Sequence, residues 1–510
     1  MSWKPEIEGI EARRRLAKEL GGEEAIARQH ERGRLTVRER IAGLVDANSF
    51  DEVGPIAGHA ETDADGALQA FIPANYVLGL AKVNDRPCVV GGEDFTQSGG
   101  SPSPAGLRKS VYAEDLALRH RVPLVRFLEG AGGSVKNAGR GTAKAVGEPV
   151  YAPHRFISIA RVLDTVPVVS AAVGSVAGLP AARLAGSHFS IMTRSSQVLI
   201  AGPALVERAV GEVMTKEELG GPDVHLRSGV VDNLAEDETE VFAMMRRFLS
   251  YLPASVFDLP PRIQNDDDPN RREEALLGII PRNRRRVYDV RQLVNAVVDR
   301  GSFFEMTARF GSSQVTGLAR LDGTPIGILA NDPYFVGGAM TAAGAQKVRR
   351  FITLCETFHL PIVSFVDEPG FMIGSEAEAA ATIRHGVETI AATVRSTVPW
   401  ASVIVRKAFG VAAAAHFGPG GTVYMWPSAE RGALPLEGGV AVAFRREIAA
   451  APDPEQRRAE LEAQFAKGRS PFPAAEGFGA HDLLDPRETR PALCRWLEWN
   501  RPLLRSRPLP

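Results

Sequence analysis

Apolar positions along this chain change their period several times, and each change marks an element. Residues Glu6 to Leu20 and Glu23 to Arg32 are densely charged with a helical pattern, which predicts two surface helices. Thr36, with Glu39 three positions later, is a capping-box signature and predicts a further helix start. Short apolar runs then take over: Pro87-Cys-Val-Val, Val122-Pro-Leu-Val-Arg-Phe-Leu, Val166-Pro-Val-Val-Ser-Ala and Gln197-Val-Leu-Ile-Ala. These read as strands, separated by helical stretches at Gly106 to Arg121 and Pro153 to Leu163. Strand, helix and strand in alternation predict an α/β fold with a mostly parallel sheet and crossover helices. Ligand sites in such sheets lie at the carboxyl ends of strands. The glycines fall there: Gly130 to Gly133, Gly174 with Gly178, and Gly202. A glycine-rich strand end that runs into a helix presents free backbone N–H groups backed by the helix's positive end, a candidate anion or oxyanion site.

The pattern occurs twice. Gly79-Leu-Ala-Lys-Val-Asn-Asp-Arg-Pro87 returns as Gly317-Leu-Ala-Arg-Leu-Asp-Gly-Thr-Pro325, an offset of 238, as from Pro87 to Pro325. In the same register Gly99-Gly100 falls on Gly337-Gly338, Lys109 on Lys347, and Val122-Pro-Leu-Val-Arg-Phe-Leu-Glu129 on Leu360-Pro-Ile-Val-Ser-Phe-Val-Asp367. Upstream, Val37 to Glu52 matches Val290 to Glu305; downstream, Thr165-Val-Pro167 matches Thr397-Val-Pro399 and places Gly178 on Gly410. Glycines and prolines demand special backbone geometry, so coincidences of this kind predict a shared fold.

Length and composition narrow the picture. At 510 residues the chain is too long for one core, and the repeat predicts two large domains, 1–260 and 287–510. Between them, 261–286 combines prolines and charge blocks and is expected to be a linker. A formal net charge of −1 argues against nucleic acid as a partner, and Arg282, Arg284, Arg285 and Arg286 read as a solvated cluster. Cys88, Cys355 and Cys494 form no CxxC pair, which predicts no metal site and a reducing compartment. The longest uncharged stretches, Thr165 to Ala182 and Ala408 to Ala429, are broken by glycine and proline and predict no membrane insertion. The opening residues lack an apolar signal region, so the cytoplasm is the expected location.

No nucleophile elbow, HExxH, Walker A or dinucleotide fingerprint is present, and the ten histidines are scattered, with His225, His385 and His416 read as structural. Paired glycine turns without an evident general base suggest catalysis through backbone N–H groups, each worth about 10²–10³ in rate. Taken alone, Gly174-Ser-Val-Ala-Gly178-Leu-Pro also reads as a tight packing turn.

Several segments resemble the β subunits of propionyl-CoA carboxylases, in order and across nearly the whole chain. They include Gly33-Arg-Leu-Thr-Val-Arg-Glu-Arg-Ile41, Glu93-Asp-Phe-Thr, Glu217-Glu-Leu-Gly-Gly-Pro-Asp-Val-His225, Phe365-Val-Asp-Glu-Pro-Gly370, Val405-Arg-Lys-Ala-Phe-Gly410 and Asp485-Pro-Arg-Glu-Thr-Arg490. The resemblance implies two tandem crotonase-like domains, each a ββα superhelix of the ClpP/crotonase kind. It further implies carboxyl transfer to an acyl-CoA from carboxybiotin, the cofactor being carried on a separate biotin carboxylase or biotin carrier subunit. The family's assembly is a homo-oligomer, a hexamer built as a trimer of dimers. Its site lies between the acyl-CoA half of one chain and the biotin half of a neighbour.

Carried over residue by residue, the enolate oxyanion hole falls at Gly178 and Leu179 and the biotin hole at Val411 and Ala412. Gly132, Gly133, Ala177, Gly410 and Ala414 are the implied substrate contacts, and Phe409, Gly410 and Val411 the implied cofactor contacts. Lys136, Arg140 and Lys144 are candidate CoA phosphate partners. Two departures stand out. Where the family has Ala-Gly-Gly-Ala this chain has Ala177-Gly178-Leu179-Pro180, which removes a donor at 180 and biases Leu179 towards extended backbone. Where it has Gly-Gly-Ala-Tyr-Asp, this chain has Gly410-Val411-Ala412-Ala413-Ala414, which leaves a roomier, apolar wall. The run Ala412 to Gly421 is closer to glutaconyl-CoA decarboxylase subunits, so a decarboxylase or transcarboxylase subunit, or a non-catalytic assembly paralogue, is an alternative.

Overall fold

The computed structural model describes residues 2–132, 156–284, 286–466 and 470–505. Contacts divide the chain into two compact units, one ending at Asp258 and the other running from Leu259. Each carries an eight-stranded sheet.

In the first unit the strand order is Asp51–Glu52, Tyr76–Val83, Arg86–Glu93, Leu124–Gly130, Val168–Ala177, Phe189–Thr193 and Asn233–Ala235, with Gln197–Leu199 beside Val168–Ala177. The first two pairings are antiparallel and the rest parallel. The second unit repeats this strand for strand: Phe304–Met306, Gln314–Leu321, Thr324–Asn331, Ile362–Glu368, Trp400–Phe409, Thr422–Met425 and Asp482–Leu483, with Glu430–Gly432 beside Trp400–Phe409. Directions repeat as well. Even the register shifts match, between Leu128 and Gly130 in one sheet and between Val366 and Glu368 in the other. The expectation of one duplicated topology is met.

Copied hydrogen bonds explain why the repeat kept its spacing. Asp46 accepts from the N–H groups of Asn84 and Asp85, and Asp299 accepts from those of Asp322 and Gly323. Both carboxylates clamp a hairpin turn whose residues have positive φ, 52° at Asn84 and 47° at Asp322. Arg38 pairs with Glu52 and Arg291 with Glu305, at the same offset of 253. Thr36 does form the expected capping box with Glu39.

The central strands Leu124–Gly130 and Ile362–Glu368 are buried throughout, as parallel strands covered on both faces should be. The helices Pro104–His120 and Ala342–Thr357 lie at equivalent repeat positions and start on equivalent caps, Ser103 accepting from Gly106 N–H and Thr341 from Gly344 N–H.

Residues of the segment 261–286, expected to be a linker, make contacts within the second unit. Arg271 pairs with Asp267 at 2.7 Å and donates to Ala296 O and Val298 O, carbonyls at the end of the Val290–Val297 helix. Leu276 is buried in the adjoining core, and Ile263 N–H donates to Gly323 O. Arg271 and Asp267 are nearly buried in these contacts, while most other charges of the segment stay exposed. Arg284, from the basic cluster, pairs with Glu430 at 2.8 Å. No helix among the described residues is long and apolar enough to cross a membrane.

All three cysteines are free, and burial pushes the thiols of Cys88 and Cys494 up to about 12 and that of Cys355 well above its ordinary value. Since the thiolate is the reactive form, the native protein at pH 8 should leave Cys88 and Cys355 unmodified by an aromatic disulfide reagent. Unfolding should release both; fast labelling of either in the native state would contradict this packing.

Candidate active site

The Val168–Ala177 strand ends at Gly178, whose φ of 66° and ψ of −130° suit glycine alone. There is no room for a side chain either. A Cβ on Gly178 would lie 2.5 Å from Gly132 Cα, so two strand ends meet backbone to backbone. The bend turns the chain into the Leu179–Ala185 helix, closed by Ala182 N–H donating to Gly178 O at 3.0 Å. Pro180 sits in the first turn, where a missing N–H leaves nothing unsatisfied. Leu179 is therefore helical rather than extended; the helix overrides the pre-proline bias. Among the described residues, the N–H groups of Gly178 and Leu179 have no protein acceptor. They remain available to a ligand, with the helix's positive end behind them.

A buried ionic chain holds that helix. Arg183 donates to Glu114 at 3.0 Å, and Glu114 also receives Arg126 at 2.7 Å, so helix, crossover helix and central strand are tied together. Beside them lies a small pocket lined by Asn75, Tyr76, Glu93, Leu179, Pro180 and Arg183, among others. Burial pushes the Glu93 carboxyl above its ordinary range, against the pull of Arg183. The sequence quoted Glu93 only within a motif and missed Arg183 and Glu114. Their signal was weak: a lone arginine and glutamate in otherwise helical stretches.

The second unit repeats the geometry. Trp400–Phe409 ends at Gly410, φ 64°, and the chain enters a 3₁₀ turn at Ala412–His416. Gly410 N–H donates to Gly432 O at 3.0 Å and is consumed there. Those of Val411 and Ala412 have no acceptor among the described residues. Val411 is 63 % exposed, Phe409 and Ala412 are buried, and Ala414 N–H donates to Val411 O.

Thus the structure brings Gly132, Ala177, Gly178 and Leu179 together at one turn, and Phe409, Gly410, Val411, Ala412 and Ala414 at its counterpart. Gly133, Lys136, Arg140 and Lys144 lie outside the described residues. No cluster of three or more His, Cys, Asp or Glu side chains suited to a metal occurs among the described residues.

Comparison with known proteins agrees with the duplicated fold. The carboxyl transferase domain family matches residues 28–508. The chain is 34% identical over 516 residues to a propionyl-CoA carboxylase carboxyltransferase subunit of Haloferax mediterranei, covering 100% of this chain and 98% of that one. It is 32% identical to the methylmalonyl-CoA carboxyltransferase 12S subunit of Propionibacterium freudenreichii subsp. shermanii, covering 98% and 95%. The solved hexameric transcarboxylase 12S, with methylmalonyl-coenzyme A bound, superposes with a TM-score of 0.87 at 30% identity, over 100% of this chain and 98% of that one. The fold is accordingly α/β with two tandem crotonase-like domains. With a family model that spans almost its whole length and relatives of the same fold, the chain belongs to the carboxyl transferase domain family.

Proposed function

We propose that this chain is the carboxyltransferase subunit of a biotin-dependent acyl-CoA carboxylase. The observation that carries the reading is the pair of unaccepted N–H groups at Gly178 and Leu179, with a second such pair, one residue further along, at Val411 and Ala412 of the repeat-equivalent turn. As the α-proton of an acyl-CoA leaves, charge grows on the thioester oxygen, and the Gly178 and Leu179 amides are placed to hold it. Preset amides need not reorganise as that charge appears. The Val411 and Ala412 amides would hold the ureido oxygen of biotin in the same way. Carboxybiotin, when bound, supplies the CO2 and a ureido nitrogen basic enough to accept the proton.

This division of labour leaves the turns to supply donors while the cofactor takes the proton; His416, in the second turn, is fully buried. The biotin arrives on another polypeptide, and the chain works as a homo-hexamer in the cytoplasm. Ala413 and Ala414 leave an apolar wall at the second turn, which favours a bulkier or less polar acyl group than propionyl. The same half-reactions run in reverse would make the chain a decarboxylase or transcarboxylase subunit, a reading favoured by the alanine run Ala412 to Ala415.

Purified protein supplied with malonyl-CoA or substituted malonyl-CoA esters and free biotin should release CO2 only when both are present. A folded oligomer that binds the ester but turns over none of them would overturn the reading in favour of a non-catalytic paralogue. Co-purification with a biotin carboxylase supports the forward direction, and with a membrane-bound partner the reverse.

A further inference from the structure

The two halves differ at one buried point under the working turns. In the first unit Gly130 ends the central strand and packs on Gly100, so closely that a Cβ there would lie 2.6 Å from Gly100 O. Its repeat partner, offset by 238, is Glu368. That carboxylate is fully buried and accepts four bonds: from Met340 N–H at 3.2 Å, Gly370 N–H at 2.9 Å, Asn331 Nδ2 at 2.9 Å and His416 Nε2 at 3.4 Å. The end of the Thr324–Asn331 strand, the segment before the Ala342–Thr357 helix and the Ala412–His416 turn therefore converge on one side chain. His416 is fully buried too, and it ends the Ala412–His416 turn. Its Nδ1 lies 2.9 Å from Ser364 Oγ, and its carbonyl accepts from Trp400 Nε1 at 2.8 Å and Ser402 Oγ at 2.7 Å.

A carboxylate and an imidazole without solvent access cannot touch a ligand, and removing both from water is costly unless every bond is made. Here they are made, and the His416 bond ties Glu368 to the turn. We propose that Glu368 and His416 are positioning residues for the second donor pair: they fix the 3₁₀ turn so that the Val411 and Ala412 amides stay free and aimed at the ureido oxygen of biotin. Among the described residues the first turn is held differently from this hub, by glycine contacts, the Arg183–Glu114 link and the buried Glu129 one position before Gly130. This proposal rests on the function inferred above, and its test separates the two.

His416→Ala should lower kcat of biotin-dependent decarboxylation by about 10²-fold, the loss expected for one misplaced donor, with KM for the CoA ester within twofold of wild type. His416→Gln, whose amide can still reach Glu368, should recover part of the loss. Ser364→Ala, a smaller change that keeps the ring, should give an intermediate loss of kcat. Independently of biotin, amide hydrogen exchange should accelerate in a peptide spanning residues 410–417 of His416→Ala and stay unchanged over 178–186. Unaltered exchange over 410–417, equal losses for Ala and Gln, or parallel changes at both turns would overturn the positioning role. Inactive wild-type protein would count against the proposed function; active wild-type protein beside an unaffected, folded Ser364→Ala and His416→Ala would count against the hub alone.

Discussion

Leu179→Pro is expected to slow carboxyl transfer by about 10²-fold or more while the protein folds and assembles normally. The substitution deletes one of two free amides at the first turn and little else. Leu179 is the first residue of its helix, the position where proline is best tolerated, and Gly178 before it already holds an extended ψ of −130° that a following proline accepts. Leu179→Ala keeps the N–H and should stay close to the wild-type rate, which separates the lost donor from the lost side chain. The comparison is made on kcat with a saturating CoA ester, with melting temperature as the control for folding. Equal rates for the proline and alanine variants would mean that the thioester oxygen is held elsewhere.

The second large effect concerns stability. Glu129 is fully buried and accepts from Arg40 at 2.6 Å, Gln29 at 2.7 Å and Arg34 at 3.2 Å. Burial works against the charge of Arg40, yet Glu129 and Glu238 more than offset it and keep its guanidinium above the ordinary value. A buried pair of this kind adds little over a well-packed apolar pair, but breaking it strands the partner. Glu129→Ala should therefore cost about 3–5 kcal/mol, seen as a lower urea midpoint for the first unfolding transition. A loss under about 1 kcal/mol would show that water or Glu238 alone satisfies Arg40.

That network also explains part of the motif Gly33 to Ile41, which the sequence offered only as a resemblance. Arg34 and Arg40 serve the carboxylate at the end of the central strand, and Thr36 with Glu39 caps the helix that carries Arg40. Local rules made the cap legible; the ion pair was not, because its members are separated by 89 residues and no periodicity joins them. The duplicated topology was the most readable feature. Its glycines, left-handed turns and clamping aspartates each constrain the backbone, and a constrained backbone leaves a trace in residue type. The contacts of segment 261–286 were illegible for the opposite reason. Charge and proline signal exposure on average, whereas Arg271 caps a helix end in a way that only the folded unit reveals. His416 was read as structural, and it is buried; what the sequence withheld is that Glu368 lies beneath the same turn.

The free amides at Gly178, Leu179, Val411 and Ala412 carry a consequence for how such a protein drifts. A donor built from the main chain has no identity to lose, since nineteen of the twenty residue types retain it. Codon changes above these bends can thus remodel the shape offered to an incoming acyl chain and leave the charge-holding machinery whole. At Leu179, Val411 and Ala412 proline is the sole substitution that erases it, whereas Gly178 admits glycine alone; at position 180 this chain already carries a proline, immediately beside Leu179.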